Sequence, residues 1–293
     1  MKTSLDCLPC LYKQALYTIR LCTKDPDLQR KVLNYVGRLL NDLDLSLSPP
    51  ENSVSVYETI AERCAVRDPF GGLKRRGNDA ALKMRPQIIE KINRSEDPIL
   101  AAVKFAIAGN IIDYGSHQKF DIQQTLHKCL TAPAIIDDYK EFRSDLEKAD
   151  NILYLADNCG EIVFDGILIE RLNKKITLAV KEFPIINDAL LEDVYYCGLD
   201  TFCTPVSNGT GCPGTPVEEC SEVFKEIFHS ADLIISKGQG NFETLSETAK
   251  PIYFLLQVKC PIVGRHIKMI SGCGKQIQTG EMVLMKQKNR ALP

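Results

Sequence analysis

The chain of 293 residues is 44% hydrophobic and 25% charged, with a formal net charge of −2, so it reads as a soluble globular protein able to bury a sizeable core. No overall field draws nucleic acid or an anionic membrane, and small molecules are the expected partners. Twelve cysteines are spread from Cys7 to Cys273 over a chain large enough to fold without disulfide staples, and most are read as buried thiols.

The opening segment, Met1 to Asp6, has no apolar signal-peptide core. No uncharged stretch reaches the roughly 20 residues of a membrane span, since the longest candidate, Pro98 to Ile112, is shorter and contains Lys104. A cytoplasmic location is expected.

From Leu8 to about Ile136 the signals are helical. Apolar residues recur at three and four in Leu11, Ala15, Leu16 and Ile19, and again in Val32, Val36, Leu39 and Leu40. Asp25-Pro26 and Asp97-Pro98 each read as an N-cap followed by proline at the first helical position. Pro49-Pro50 marks a loop between helices.

After a charged helix near Asp138 to Ala149 the pattern changes. Compact apolar runs at Ile152–Ala156, Ile176–Val180, Thr201–Val206, Leu233–Ile235, Ile252–Val258 and Met282–Met285 alternate with helical stretches. That alternation predicts βαβ units and a mainly parallel sheet. The fold class is α/β, with a helical N-terminal domain over residues 1–136 and a Rossmann-like domain over 137–293.

Chemistry-bearing residues fall at the ends of these runs. The carboxyl ends of parallel strands share one edge, so distant residues can converge there on one ligand. Asp157-Asn158 follows the run ending at Ala156, and Gly160 permits a sharp turn into a helix from Ile162 to Leu172. Taken alone, Asp157 and Asn158 are accounted for as a helix cap. Asp188 lies one βα unit later, and two carboxylates with an amide oxygen suit a hard divalent ion such as Mg²⁺ or Mn²⁺. Asp193 is the competing carboxylate, expected on a helix that points it away.

Lys237 and Lys259 each end an apolar strand. A lone lysine there is ordinarily just exposed, but two on the carboxylate edge would neutralise the oxygens of a transferring phosphoryl group. The loop Gly209 to Pro216 is read as leading into a helix from Val217 to Phe228, where it either presents N–H groups to an anion or merely connects. It matches neither common nucleotide fingerprint.

Cys7-Leu8-Pro9-Cys10 lacks a second Cys-x-x-Cys for a zinc site and a preceding strand for a redox motif, and a structural or incidental role is expected. The four histidines show no ligand spacing. Lys74 to Asp79 reads as a solvated helix face, and Asn110 and Asp113 either cap a helix or face a cleft.

In this order the segments resemble the DUF89 family of metal-dependent damage-control phosphatases. The resemblance rests on Cys7-x-x-Cys10, Asp68-Pro69-Phe70 with Lys74 and Asn78, and Gly109-Asn110 with Asp113. It continues through Asp157 to Glu161, Asn187-Asp188, Pro213 to Thr215, Lys237 to Glu243 and Val258 to Cys260. Cys212 departs from it, where a small alanine-like residue is expected.

The resemblance implies a helical domain on a Rossmann-like one. It implies a divalent ion, Mn²⁺, Mg²⁺, Co²⁺ or Ni²⁺, held by Asp157, Asn158 and Asp188, and hydrolysis of small phosphorylated metabolites. Asp157, Glu161, Lys237 and Lys259 are then the candidate catalytic residues. Either Asp157 attacks directly or Glu161 orients a water. Lys74, Asn78, Asn110, Asp113, Gly240 and Asn241 are the candidate substrate contacts. A homo-oligomer is compatible with the sequence. The rival readings are a non-enzymatic sensor of phosphorylated metabolites and a thiol-based metal-handling protein built on Cys7 and Cys10.

Overall fold

The computed structural model describes residues 1–109 and 130–287. The first half forms α1 (Cys7–Cys22), α2 (Pro26–Leu39), α3 (Pro49–Cys64), α4 (Gly71–Asn93) and α5 (Pro98–Ala108). Both aspartate caps form as their sequence implies: the Asp25 carboxylate accepts from Asp27 N–H, and Asp97 accepts from Ile99 and Leu100 N–H. Ser48 and Glu51 close a reciprocal capping box at the start of α3, where the paired prolines occupy the first turn. The prolines therefore begin a helix as well as ending a loop.

The second half contains β1 (Ala134–Asp137), α6 (Tyr139–Lys148), β2 (Asn151–Leu155), α7 (Glu161–Leu172), β3 (Lys175–Val180), α8 (Leu191–Tyr196) and β4 (Thr204–Ser207). It ends with α9 (Glu222–Ser230), β5 (Leu233–Lys237), α10 (Gly238–Leu245), β6 (Ile252–Gln257), α11 (Pro261–Ser271) and β7 (Met282–Lys286). The strands form one seven-stranded sheet in the order β1-β7-β6-β5-β2-β3-β4. Every pairing is parallel except β6 with β7.

Two chain-level readings differ from the sequence expectation. Ala134–Asp137, read as the end of the helical stretch, is a strand paired with β7. The loop from Gly209 does not run straight into a helix at Val217. A single short turn covers Val217–Glu219, and α9 starts later, capped by the Ser221 hydroxyl accepting from Phe224 N–H. The Gly209–Pro216 segment is therefore a wall and not a helix N-terminus.

Alternation along the strands assigns the two faces of the sheet. Ile152, Tyr154, Ile235, Tyr253 and Leu255 pack with residues of α4, α5 and α7. Leu153, Leu155, Ile234, Phe254 and Leu256 pack on the opposite face with residues of α9, α10 and α11. Helices α4 and α5, which the sequence boundary at residue 136 groups with the helical part, thus share a core with the sheet. A third cluster joins α1, α2 and α3 through Ala15, Ile19, Val32, Val36, Val56 and Ile60, and reaches Ile185 and Ile186 of the second half. That contact sets α1 and α3 over the sheet's carboxyl edge. Among the described residues no helix is long and apolar enough to cross a membrane.

From β2 the chain steps outward to β3 and β4, then returns to place β5 on the other side of β2. The strand order reverses between β2 and β5, and in open α/β sheets ligands sit in the crevice beyond such a point. Asp157-Asn158 follows β2, and Lys237-Gly238-Gln239-Gly240 spans the end of β5.

Candidate active site

A cavity of about 560 Å³ opens at that crevice. Its floor carries Asp157, Asn158, Asn187, Gly240 and Lys259 from the α/β part, and Gln14 and Tyr57 of α1 and α3 stand on the facing wall. The turns after β2 and β3 are stitched together by backbone. Asn158 and Asp188 pair as an isolated antiparallel bridge, Ala189 N–H donates to Asp157 O at 2.9 Å, and Cys159 N–H donates to Asn187 O at 2.9 Å. Ile186, two residues before Asp188, is held at φ +36°, a costly conformation for a β-branched side chain. The three proposed ligand residues are thereby gathered in one place.

Asp188 is 1% exposed, and neither of its carboxylate oxygens has a hydrogen-bond partner among the described residues. Burial raises its pKa well above the usual carboxylate range, the Lys181 ammonium pulls it back, and Asp157 raises it further. Lys181 Nζ stands 3.9 Å from Asp188 Oδ2 and donates to Gly214 O. Asp157 accepts from Asn158 Nδ2 at 2.7 Å through Oδ2, and the same amide lies 3.3 Å from Glu161 Oε2. A buried carboxylate without donors, beside a second carboxylate and an amide, is the environment a hard cation satisfies. The donor set fits a divalent ion. Among the described residues no group of three His, Cys, Asp or Glu side chains is placed to hold a metal, so this set depends on the Asn158 amide and does not extend to Cys7 and Cys10.

Glycine is required where β5 gives way to α10. Gly238 has φ +78°, and a Cβ there would lie 2.0 Å from Asp157 Oδ2. At Gly240 a Cβ would lie 1.8 Å from Pro213 O, so only glycine lets the 213–214 loop close against α10.

The lysines divide into two kinds. Lys259 is exposed at the cavity, and its backbone N–H donates to Gln239 Oε1 at 2.9 Å. Lys237 is 0% exposed, and all three ammonium donors are taken: Glu161 Oε1 at 2.5 Å, Asp165 Oδ1 at 2.7 Å and Ala106 O at 2.7 Å. Tyr154 OH also donates to Asp165 Oδ1 at 2.7 Å. Burial raises the Glu161 pKa, with Lys237 opposing it. Lys237 and Glu161 therefore sit behind Asn158, away from the cavity wall.

Lys74 and Asn78, one turn apart on α4, are buried while Arg75 and Arg76 face solvent, so this segment is only partly the solvated face its sequence suggests. Asn78 Oδ1 accepts from Gly160 N–H at 2.6 Å, and Asn78 Nδ2 donates to Asp193 Oδ1 at 3.0 Å. Lys74 Nζ lies 3.3 Å from Asp193 Oδ2 and 3.6 Å from Asp68 Oδ2. Asp193, expected to point away, instead turns back to cap α8 through Leu190 N–H at 3.0 Å and locks this network under the Asp157–Gly160 turn. Asn241 also braces: it donates to Ala156 O at 3.0 Å and Lys237 O at 2.9 Å, and accepts from Thr215 Oγ1 at 2.7 Å. Asn110 and Asp113 lie outside the described residues.

Several site residues escape the sequence reading. Lys181 directly follows β3 and Lys237 is the last residue of β5, so the strand-end argument applies to both. Gln239 and Glu243 lie within the quoted motif. The Glu243 carboxyl, pushed up to about 7 by burial against the opposing effects of Gln239, the N-terminal amine and Lys259, stands on the cavity wall. Cys7 and Cys10 line the rim through the first turn of α1. Cys212 is buried behind the wall.

An α/β sheet with oxygen donors gathered at its switch point, under a helical cover, defines a Rossmann-like small-molecule site. Residues 3–272 match the damage-control phosphatase ARMT1-like domain. The chain is 37% identical over 279 residues to damage-control phosphatase PH1575 of Pyrococcus horikoshii, covering 93% of this chain and 96% of that protein. It is 31% identical over 278 residues to a damage-control phosphatase of Archaeoglobus fulgidus, covering 91% and 96%. The crystal structure of the Pyrococcus horikoshii protein, described as a DUF89 family protein, superposes with a TM-score of 0.89 at 36% identity over 98% of this chain and 100% of that one. The chain belongs to the ARMT1-like, or DUF89, family.

Proposed function

We propose that this protein is a metal-dependent phosphatase acting on small phosphorylated metabolites, including side products or damaged forms. The observation that carries the reading is the Asp188 carboxylate, buried with both oxygens lacking a donor and stitched beside Asn158 and Asp157. Relatives at 37% and 31% identity named as damage-control phosphatases support the class of reaction.

A divalent ion held by Asp157, Asn158 and Asp188 would supply Lewis acidity and a template for phosphate oxygens. Lys259, free at the cavity, neutralises charge developing on the phosphoryl group. Asn158 is aimed by Asp157 and Glu161, and Glu161 is fixed by Lys237, which makes both Glu161 and Lys237 positioning residues in this scheme. Asn78 and Asp193 hold the Gly160 turn from below. Asp157 stands on the cavity wall where Glu161 does not, and this supports Asp157 as the group facing the phosphorus. Helices α1 and α3 close the far side and limit water.

The test is phosphate release from p-nitrophenyl phosphate. Activity is expected with Mn²⁺, Mg²⁺, Co²⁺ or Ni²⁺, lost on chelation and restored by Mn²⁺. Activity untouched by a chelator removes the metal from the scheme. Binding of phosphate esters without release under any of these ions favours a sensor.

A further inference from the structure

Helices α1 and α3 run side by side in the same direction. Thr3 N–H donates to Leu47 O at 2.9 Å just ahead of the two helices, and Tyr57 OH donates to Gln14 Oε1 at 2.7 Å midway along them. About two turns further on, each helix ends in a cysteine, Cys22 and Cys64. Ala15, Ile19 and Cys22 form one stripe of α1, and Tyr57, Ile60 and Cys64 form one stripe of α3, each at the spacing that keeps side chains on one face. All six belong to, or pack against, the apolar cluster shared by α1, α2 and α3. The two cysteines are thus the last residues on stripes that face each other.

Both are free and half-buried, and the Cys22 thiol donates a hydrogen bond to the Cys64 sulfur. Two thiols in contact across a helix pair meet the first requirement of a disulfide, that the side chains point toward each other. Burial pushes both thiols up, Cys22 to about 12 with Cys64 adding to the effect, while the hydrogen bond from Cys22 pulls Cys64 back. Cys64 is therefore the attacking thiol and Cys22 the resolving one. Neither cysteine lines the cavity at the sheet's carboxyl edge.

We propose that Cys22 and Cys64 are a redox-active dithiol that closes a disulfide between α1 and α3 on reaction with a low-molecular-weight disulfide. The Cys64 thiolate, its proton released to solvent, attacks one sulfur of the reagent, forming a mixed disulfide and expelling one thiolate. Cys22 then attacks the Cys64 sulfur, the mixed disulfide breaks, and the proton of Cys22 passes to the second departing thiolate. Two cysteine thiols are oxidised and the reagent is reduced to two thiols. The cross-link encloses α2 in a long loop and ties together the two helices that cover the cavity, so it stabilises the cover by restricting the unfolded chain.

The experiment treats the unaltered protein with glutathione disulfide, alkylates the remaining thiols and maps the peptides by mass. A linked peptide pair containing Cys22 and Cys64 is expected, reversed by dithiothreitol, in a protein that melts at least about 5 °C above its reduced form. Cys22→Ser, which removes the resolving thiol, should stop at a mixed disulfide of glutathione on Cys64. Cys64→Ser should give neither the cross-link nor the rise in melting temperature. Cys22 and Cys64 recovered unlinked after oxidation, a cross-link from either to another cysteine, or an oxidised protein that melts no higher overturns the assignment. Because the mapping uses the unaltered protein, a serine variant that fails to fold does not affect it.

Discussion

Asp157→Ala is expected to lower turnover of phosphate esters by at least about 10³-fold, since loss of even a residue supporting a metal ligand costs about 10–100-fold. Asp157 is both a proposed ligand and the carboxylate on the cavity wall. The fold should survive, because the residue sits in a turn after β2 and contributes nothing to the sheet's two apolar faces. Removing it also relieves repulsion, as Asp157 raises the pKa of Asp188 and of Glu161. The metal-free variant should therefore melt no lower than the metal-free parent. Mn²⁺ should raise the melting temperature of the parent and not of the variant, because only a species that binds the folded state shifts the equilibrium. Turnover within about tenfold of the parent would remove Asp157 from the chemistry.

Lys237→Met should destabilise the protein by about 3–5 kcal/mol at about pH 8, the usual result of removing one partner from a buried ion pair. The ammonium holds Glu161 and Asp165, both fully enclosed, and no other cation is bonded to either carboxylate among the described residues. The pH dependence fixes the cause. Both acids have folded-state pKa values raised by burial, so their contribution is fully favourable below the ordinary carboxylate range and is lost as pH rises through the folded values. Without Lys237 to oppose burial, the folded values rise further and the loss grows. The gap between parent and variant in a thermal melt should be small at about pH 5 and largest at about pH 8. A gap that does not change with pH would mean that lost packing, not lost charge pairing, is responsible.

Much of the fold was legible because strands and turns are written locally. The run Ile152–Ala156 followed by Asp-Asn-x-Gly, and Leu233–Ile235 followed by Ser-Lys-Gly-x-Gly, carry both the pleat periodicity and the sharp turn within a few residues. Ala134–Asp137 carries neither in full; it is a strand because β7 offers it an edge. The start of α9 differs from the expected Val217 because the hydroxyl that caps the helix belongs to Ser221, while Val217–Glu219 closes only a single short turn.

The site divides along the same line. Asp157, Asn158 and Asp188 could be read as a set because two consecutive crossovers deliver them to one edge. The direction in which a side chain leaves that edge is not local information. Lys237 and Lys259 look equivalent in sequence, yet one is sealed between Glu161 and Asp165 and the other faces the cavity. Asp193 was judged by the helix it begins, and the structure turns it back because Lys74 and Asn78 arrive from α4, far away in the chain.

Asp157, Asn158 and Asp188 are the proposed ligands of one divalent ion. Anomalous diffraction from crystals grown with Mn²⁺ tests this most directly: a single strong peak is predicted about 2.2 Å from an oxygen of each of the three side chains, within about 0.2 Å. No peak there, or a peak at Cys7 and Cys10 instead, would contradict the account.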